Sequence, residues 1–161
     1  MKIHFITTGG TIDKVYFDAK SEYQIGSPQV EDMLKEANVA FDYEVEPVLA
    51  KDSLEMTDAD RELICSRAAA CACERIVITH GTDTMVETGQ ALLSKIAGKT
   101  IVLFGAMQPA RFRNTDALFN LGTAIGAVSS LPHGVYLAMN GQVFDPRKTR
   151  KNRAENRFEE I

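Results

Sequence analysis

Thr11 closes the run Thr7-Thr8-Gly9-Gly10-Thr11, and Thr82 and Asp83 stand side by side in His80-Gly81-Thr82-Asp83-Thr84. A threonine hydroxyl is a weak nucleophile at neutral pH and needs a neighbour that takes its proton. Asp83, the Thr82 hydroxyl and Lys99, which stands at the start of a later apolar run, are the candidates for that help. A lysine beside an aspartate can organise Thr82 by charge and hydrogen bonding. Gly9 and Gly10 would let the backbone approach a small ligand closely and aim amide hydrogens at it. The competing chemistry for two glycines after a strand is a phosphate cradle. Against it, the stretch has neither GxGxxG nor GxxxxGK[ST] spacing, and no acid follows at the next strand end to hold a ribose. Taken singly, each residue also has a structural reading. Thr11 could cap a turn, Asp83 could sit at the positive end of a helix, and Lys99 could be a solvated residue at a strand edge. His80, between strand and turn, reads as a loop-orienting residue, and His4 and His133 stand alone.

These residues need elements that bring them together. Near-continuous apolar runs at Ile3 to Ile6, Arg75 to Thr79, Thr100 to Phe104 and Val135 to Met139 read as strands covered on both faces, and Asp42 to Ala50 as a further strand. Helical patterns alternate with them. Ser27-Pro28 reads as a cap with proline at the first helical position, followed by the stripe Val30, Met33, Leu34 and Ala37. Thr57-x-x-Asp60 resembles a capping box for a helix to about Cys73, and Thr84-x-x-Glu87 one for a helix stopped near Gly98. A fourth helix starts near Thr115. Strands alternating with helices predict a single α/β domain, a doubly wound, mostly parallel sheet with helices on both faces, Rossmann-like or flavodoxin-like. In such a sheet ligands bind at the carboxyl ends of the strands, where the loops TTGGT, HGTDT and GAMQPARFRNTD all fall.

The 161 residues suit one domain. A formal charge of −4 argues against nucleic acid or an anionic membrane as the main partner. The exception is local: Arg147, Lys148, Arg150, Lys151, Arg153 and Arg157 crowd the last stretch, which reads as a solvated or subunit-packing tail. Cys65, Cys71 and Cys73 form neither CxxC pairs nor a ligand set supplemented by histidine, so free thiols in a reducing cytoplasm are expected. No segment reaches the ~18 apolar residues of a membrane span. The strand at Ile3 leaves no space for a signal-peptide core.

Jointly, these motifs resemble the bacterial-type L-asparaginase family, in its amino-terminal domain. The matching segments, in the family's order, are TTGGTID (7–13), YQIG (23–26), KDSLEM (51–56), ITHGTDTMVET (78–88), GKTIVLFGAMQP (98–109), FNL (119–121) and AMNGQVFD (138–145). The resemblance implies an amidohydrolase that converts L-asparagine to L-aspartate and ammonia through a threonyl acyl-enzyme, with weaker or no action on L-glutamine. It implies no metal or organic cofactor, and a cytoplasmic homodimer or homotetramer. By position, Thr11 resembles the nucleophile, and Tyr23, on a mobile loop, the hydroxyl that activates it. Thr82, Asp83 and Lys99 resemble the second catalytic group. Ser53 stands where the substrate α-carboxylate is received, Asp83 where the α-ammonium is held, and amides beside Gly10, Gly81 and Thr82 would bind carboxylate and oxyanion. Residues 1–146 are then the catalytic domain and residues 147–161 a charged tail.

The match departs from the family in two respects. Long members carry a second domain that lends an acidic residue across a subunit interface, and this chain resembles a short single-domain form as readily as part of a long one. Glu155, Glu159 or Glu160 of a neighbouring copy could stand in. Leu54 occupies a place where a polar amide commonly helps hold substrate; Arg111 and Arg113 either compensate or are ordinary surface residues. Two other functions stay open. One is a different amidohydrolase, such as a component of a tRNA-dependent amidotransferase, for which the acidic surface is unfavourable. The other is a non-catalytic amino-acid-binding module, against which the presence of all five candidate catalytic side chains counts.

Overall fold

The apolar runs become the centre of a six-stranded sheet. The computed structural model describes residues 1–161. Its strands are β1 (Lys2–Gly9), β2 (Lys14–Phe17), β3 (Glu22–Ile25), β4 (Asp42–Lys51), β5 (Arg75–Thr79), β6 (Thr100–Phe104), β7 (Gly134–Met139), β8 (Gln142–Phe144), β9 (Thr149–Asn152) and β10 (Arg157–Glu160). Its helices are α1 (Val30–Glu36), α2 (Asp58–Ala70), α3 (Met85–Lys95) and α4 (Ala117–Ser130). The main sheet runs β4-β1-β5-β6-β7-β8, parallel except for the antiparallel last strand. The expected doubly wound α/β architecture is what forms.

Period-two alternation divides the core between the two faces. Ile3, Phe5, Val77, Val102 and Phe104 point to one side, where Val30 and Leu34 of α1 and Leu121 and Val128 of α4 meet them. Ile6, Ile76, Ile78, Ile101 and Leu103 point to the other, against Ile64 of α2 and Met85 and Leu92 of α3. Each of these buried apolar side chains contributes on the order of 1.5–3 kcal/mol. The strands therefore hold their carboxyl ends rigidly, and the loops that leave those ends inherit that rigidity.

Several local expectations change. The first helix starts at Val30 rather than at Ser27-Pro28, because the Gln29 amide donates instead to Asp13 Oδ1 at 2.8 Å. The Thr57 capping box is present, with Asp60 N donating to Thr57 Oγ1 and Thr57 N to Asp60 Oδ2. The second box does not form: Thr84 Oγ1 donates across the chain to the Ser53 carbonyl at 2.8 Å and leaves the α3 amides uncapped. Residues 14–25, where sequence places Tyr23 on a mobile loop, form a β2–β3 hairpin. The charged stretch 147–161 folds as well. After a 3-10 turn at Pro146–Lys148, β9 and β10 pair antiparallel, and Phe158 is buried against Phe144 in the core.

Candidate active site

The turn after β1 is a close-approach device. Gly9 and Gly10 have φ of +94° and +88°, a region that disfavours side chains. A Cβ on Gly10 would lie 2.5 Å from the Gly81 amide nitrogen, and one on Gly9 2.6 Å from that of Lys51. The TTGGT loop is thus pressed onto the ends of β4 and β5. The Gly10 amide donates to the Lys51 carbonyl at 3.0 Å, so Gly10 itself offers no hydrogen to a ligand and its neighbours must. Thr11 follows, half-buried, at the head of a 3-10 turn. Thr8, fully buried, fixes the strand end by donating its hydroxyl to the Thr79 carbonyl at 2.7 Å.

The second loop is fixed from inside by His80. Its Nδ1 lies 2.7 Å from the Gly81 carbonyl and its Nε2 2.8 Å from Thr88 Oγ1. The carbonyl can only accept, so Nδ1 carries the proton and Nε2 accepts from Thr88. Complete burial pushes the imidazole down to about 4, so the ring is neutral at pH 7 and acts as a brace for the loop. Gly81 then meets Ser53: a Cβ on Gly81 would lie 2.6 Å from Ser53 Oγ. Ser53 is buried at the start of a 3-10 turn after β4, held by Thr84. Gly10, Gly81 and Ser53, from three strand ends, therefore form one junction. Thr82, buried, and Asp83, half-buried, adjoin it through the loop.

The lysine that reaches Thr82 and Asp83 is Lys151. From β9 its Nζ donates to Thr82 Oγ1 at 2.8 Å and to Asp83 Oδ1 at 2.9 Å, and its side chain is only 13% exposed. Arg153 Nε adds a 3.4 Å contact to the same Asp83 oxygen. Sequence reasoning expects this contact from Lys99, and the structure corrects it. Lys99 precedes β6, at the amino end of the sheet, whereas HGTDT leaves a carboxyl end. Its ammonium instead donates to the carbonyls of Cys71 and of Cys73, the latter at 3.1 Å. In the sequence Lys151 is one cation among six in a polar stretch, and nothing local singles it out.

Tyr23 lies on β3, 50% exposed, its ring packed on Tyr16 across the hairpin and on Phe112. Those contacts hold it at the protein surface rather than on Thr11. Asp13 anchors the base of the same hairpin: its carbonyl accepts from Gly26 N and its carboxylate from Gln29 N, both at 2.8 Å. Burial pushes the Asp13 carboxyl up to about 7. Arg111 is engaged structurally, donating to Gln29 Oε1, while Leu54 is exposed. Glu159 is paired within its own hairpin, to Arg150 and Asn152. A polar cleft of about 580 Å³ flanks the Asp83–Lys151 pair, lined also by Glu87, Arg150, Asn152 and Arg153, but it includes neither Thr11 nor Ser53. No helix is long and apolar enough to cross a membrane.

Known proteins resemble this chain in sequence and fold. The family model "Asparaginase, N-terminal" matches residues 2–159. L-asparaginase 2 of Escherichia coli (strain K12) is 34% identical over 160 residues, which cover 92% of this chain and 46% of that protein. The thermostable L-asparaginase from Thermococcus kodakarensis superposes with a TM-score of 0.86 at 30% identity, over 100% of this chain and 51% of that one. A glutamyl-tRNA(Gln) amidotransferase component from Methanococcus vannielii is 40% identical over 73 residues, 45% of this chain and 17% of that protein. The chain thus spans about half the length of the asparaginases it matches.

Proposed function

The chain belongs to the asparaginase family, through that family's amino-terminal domain, and on this premise we propose that it supplies the catalytic residues of an amidohydrolase acting on L-asparagine. The observation that carries the reading is the contact of Lys151 with both Thr82 and Asp83 beside the Gly10–Gly81–Ser53 junction. In this reading Thr11 Oγ1 attacks the side-chain carbonyl carbon of asparagine. The carbon–nitrogen bond breaks, the nitrogen takes up the proton surrendered by Thr11 and leaves as ammonia, and water hydrolyses the resulting ester to L-aspartate. Tyr23 relays the proton when the β2–β3 hairpin closes over the substrate. Thr82, oriented by Lys151, polarises the reacting amide and positions the incoming water. Ser53 receives the α-carboxylate and Asp83 the α-ammonium, and the amides next to Gly10 and Gly81 stabilise the oxyanion at roughly 3 kcal/mol per donor. All of this is acid–base and hydrogen-bond chemistry of side chains and amides. The protein acts in the cytoplasm, where its three free thiols stay reduced, and as a homo-oligomer whose neighbouring copy completes the pocket.

Ammonia release from L-asparagine by the purified chain, free of host asparaginase, tests the proposal. The expected result is turnover that falls by at least ~10³-fold in Thr11→Ala. Equal release by the variant refutes the nucleophile, and a solution mass of a single chain refutes the oligomer. The amidotransferase relative calls for one control: ammonia release that appears only with a tRNA-bound partner protein would transfer the activity to that class.

A further inference from the structure

At the amino end of the sheet, opposite the site above, the fold assembles a cluster that spacing along the chain conceals. His4 of β1 meets Cys71 and Cys73 of the turn between α2 and β5, with one ligand atom from each of the three within 4.8 Å of the others. The cysteines, read from sequence as lacking a histidine, have one supplied from 67 residues away. We propose that His4, Cys71 and Cys73 form a structural zinc site.

Three observations point to a metal ion rather than to a chance meeting of side chains. First, the histidine is prepared as a ligand. His4 Nε2 lies 2.7 Å from Glu46 Oε2, and the carboxylate fixes the ring proton on that nitrogen. Nδ1 is thereby left with an unshared lone pair, and it is buried with no hydrogen-bond partner. A carboxylate behind a histidine whose ring lies within 4.8 Å of two sulfurs is the outer-shell arrangement of zinc-binding imidazoles. Glu46 is itself held in place by Arg67.

Second, the cysteine turn is prepared as well. The Cys73 amide donates to Cys71 Sγ at 3.4 Å, and Lys99 Nζ ties down both cysteine carbonyls. These contacts curl the turn so that both sulfurs face His4, and the ammonium offsets the negative charge that two thiolates would bring. Lys99 therefore serves this cluster and not the hydroxyl site. Third, the donor set is that of zinc. Two sulfurs and one imidazole nitrogen are soft to borderline ligands, and a carboxylate oxygen stands next to the open position: Glu44 Oε2 is 3.4 Å from Nδ1. Zinc–sulfur bonds of about 2.3 Å in a tetrahedron place sulfurs about 3.8 Å apart, so loading requires the cluster to tighten by at most about 1 Å. Cys71 and Cys73 are half-buried, which leaves an approach from solvent. Binding forms two zinc–sulfur bonds and one zinc–nitrogen bond, and releases the two thiol protons to solvent. The ion would staple the carboxyl end of α2 to the first strand, far from the hydroxyl loops.

The test is zinc binding by the full chain, reduced, stripped with a chelator and repurified. Competition with a chromophoric chelator is expected to give one zinc per chain, and cobalt(II) in its place to show thiolate-to-cobalt charge-transfer absorption. Cys73→Ser, on a half-exposed turn, is expected to weaken zinc binding at least ~100-fold, and Glu46→Gln, through the ring it orients, about 10- to 100-fold. Cys65→Ala, a cysteine outside the cluster, keeps both the stoichiometry and the cobalt band. Circular dichroism of each variant separates lost binding from lost fold. Absence of stoichiometric zinc in the folded wild type, a cobalt form without the sulfur band, or full affinity in Cys73→Ser overturns the site. So does a Cys71–Cys73 disulfide found in the chain as isolated from cells, because it removes both thiolates. Ammonia release enters none of these readouts, so failure here leaves the amidohydrolase reading untouched.

Discussion

Replacing Lys151 with methionine separates the two lysines between which sequence and structure disagree. Methionine keeps the apolar stem in its place and removes only the ammonium, which donates to Thr82 at 2.8 Å and to Asp83 at 2.9 Å. At that separation and an effective dielectric of ~20, the gross attraction to Asp83 is about 6 kcal/mol, most of it offset by the desolvation of both groups. What remains for stability is about 1–2 kcal/mol, since Arg153 stays 3.4 Å from Asp83 and limits the exposure of an unpaired carboxylate. In a chain of this length that corresponds to a fall in Tm of roughly 3–6 °C. In the proposed mechanism the loss in the reaction is larger, because the ammonium orients the Thr82 hydroxyl that polarises the reacting amide. Removing one preorganised donor of this kind lowers kcat about 10²- to 10³-fold. Lys99→Met, at the far end of the sheet, is expected to keep kcat within about threefold of wild type. Steady-state ammonia release and a thermal melt on each variant supply the four numbers. The reasoning fails if Lys151→Met keeps more than about a tenth of the wild-type kcat, or if Lys99→Met loses as much as Lys151→Met does.

The glycine turn and the buried acid offer further tests. Gly10→Ala places a methyl group 2.5 Å from the Gly81 nitrogen at φ +88°, and should destabilise the chain by more than ~2 kcal/mol; a urea midpoint equal to wild type contradicts the close approach. Asp13 and His80 make opposed contributions to stability against pH. With its carboxyl raised to about 7, folded Asp13 holds a proton that the unfolded chain gives up near 4, so this contribution falls as pH rises from about 4 to 7. With its imidazole lowered to about 4, folded His80 lacks a proton that the unfolded chain binds below about 6.5, so this contribution rises with pH over about 4 to 6.5. Asp13→Asn, which keeps an acceptor for Gln29 N, should gain about 2–3 kcal/mol on wild type between about pH 5 and pH 8, read from urea midpoints; a pH-independent difference rejects the assignment. Phe158→Ala should cost about 3–5 kcal/mol, and a change under ~1 kcal/mol would mean that the β9–β10 hairpin lies outside the folding unit.

The parts of the fold legible in sequence are those governed by local physics. Near-continuous apolar runs name β1, β5, β6 and β7 because a strand covered on both faces has no other composition available. The Thr57 box is legible because both partners lie within one turn. The Thr84 box matches the same pattern and does not form, since the hydroxyl finds a better-placed acceptor 31 residues away at Ser53. A capping motif states what a helix start can do alone, and tertiary contacts decide whether it does. The β2–β3 hairpin escapes for a related reason: its pairing rests on aromatic contacts such as Tyr16 with Tyr23, and the polar residues between carry no period.

The same division separates the two lysines. Thr11, Thr82 and Asp83 are visible because the loops that hold them are built from glycine and hydroxyl residues immediately after strands, and strand ends in a parallel sheet share one edge. Lys99 also borders a strand, but it precedes β6, and direction along the strand decides which edge a residue reaches. That direction is readable from sequence alone: a lysine before a parallel strand and a threonine after its neighbour lie at opposite ends, separated by about five residues at ~3.3 Å each. Lys151 required more. It reaches Thr82 because Phe158 buries itself beside Phe144 and draws the β9–β10 hairpin back over the start of α3. A single apolar residue in a charged stretch thus places the amine, and Arg150, Lys151 and Arg153, which read as part of a solvated tail, pair with Glu159 and Asp83.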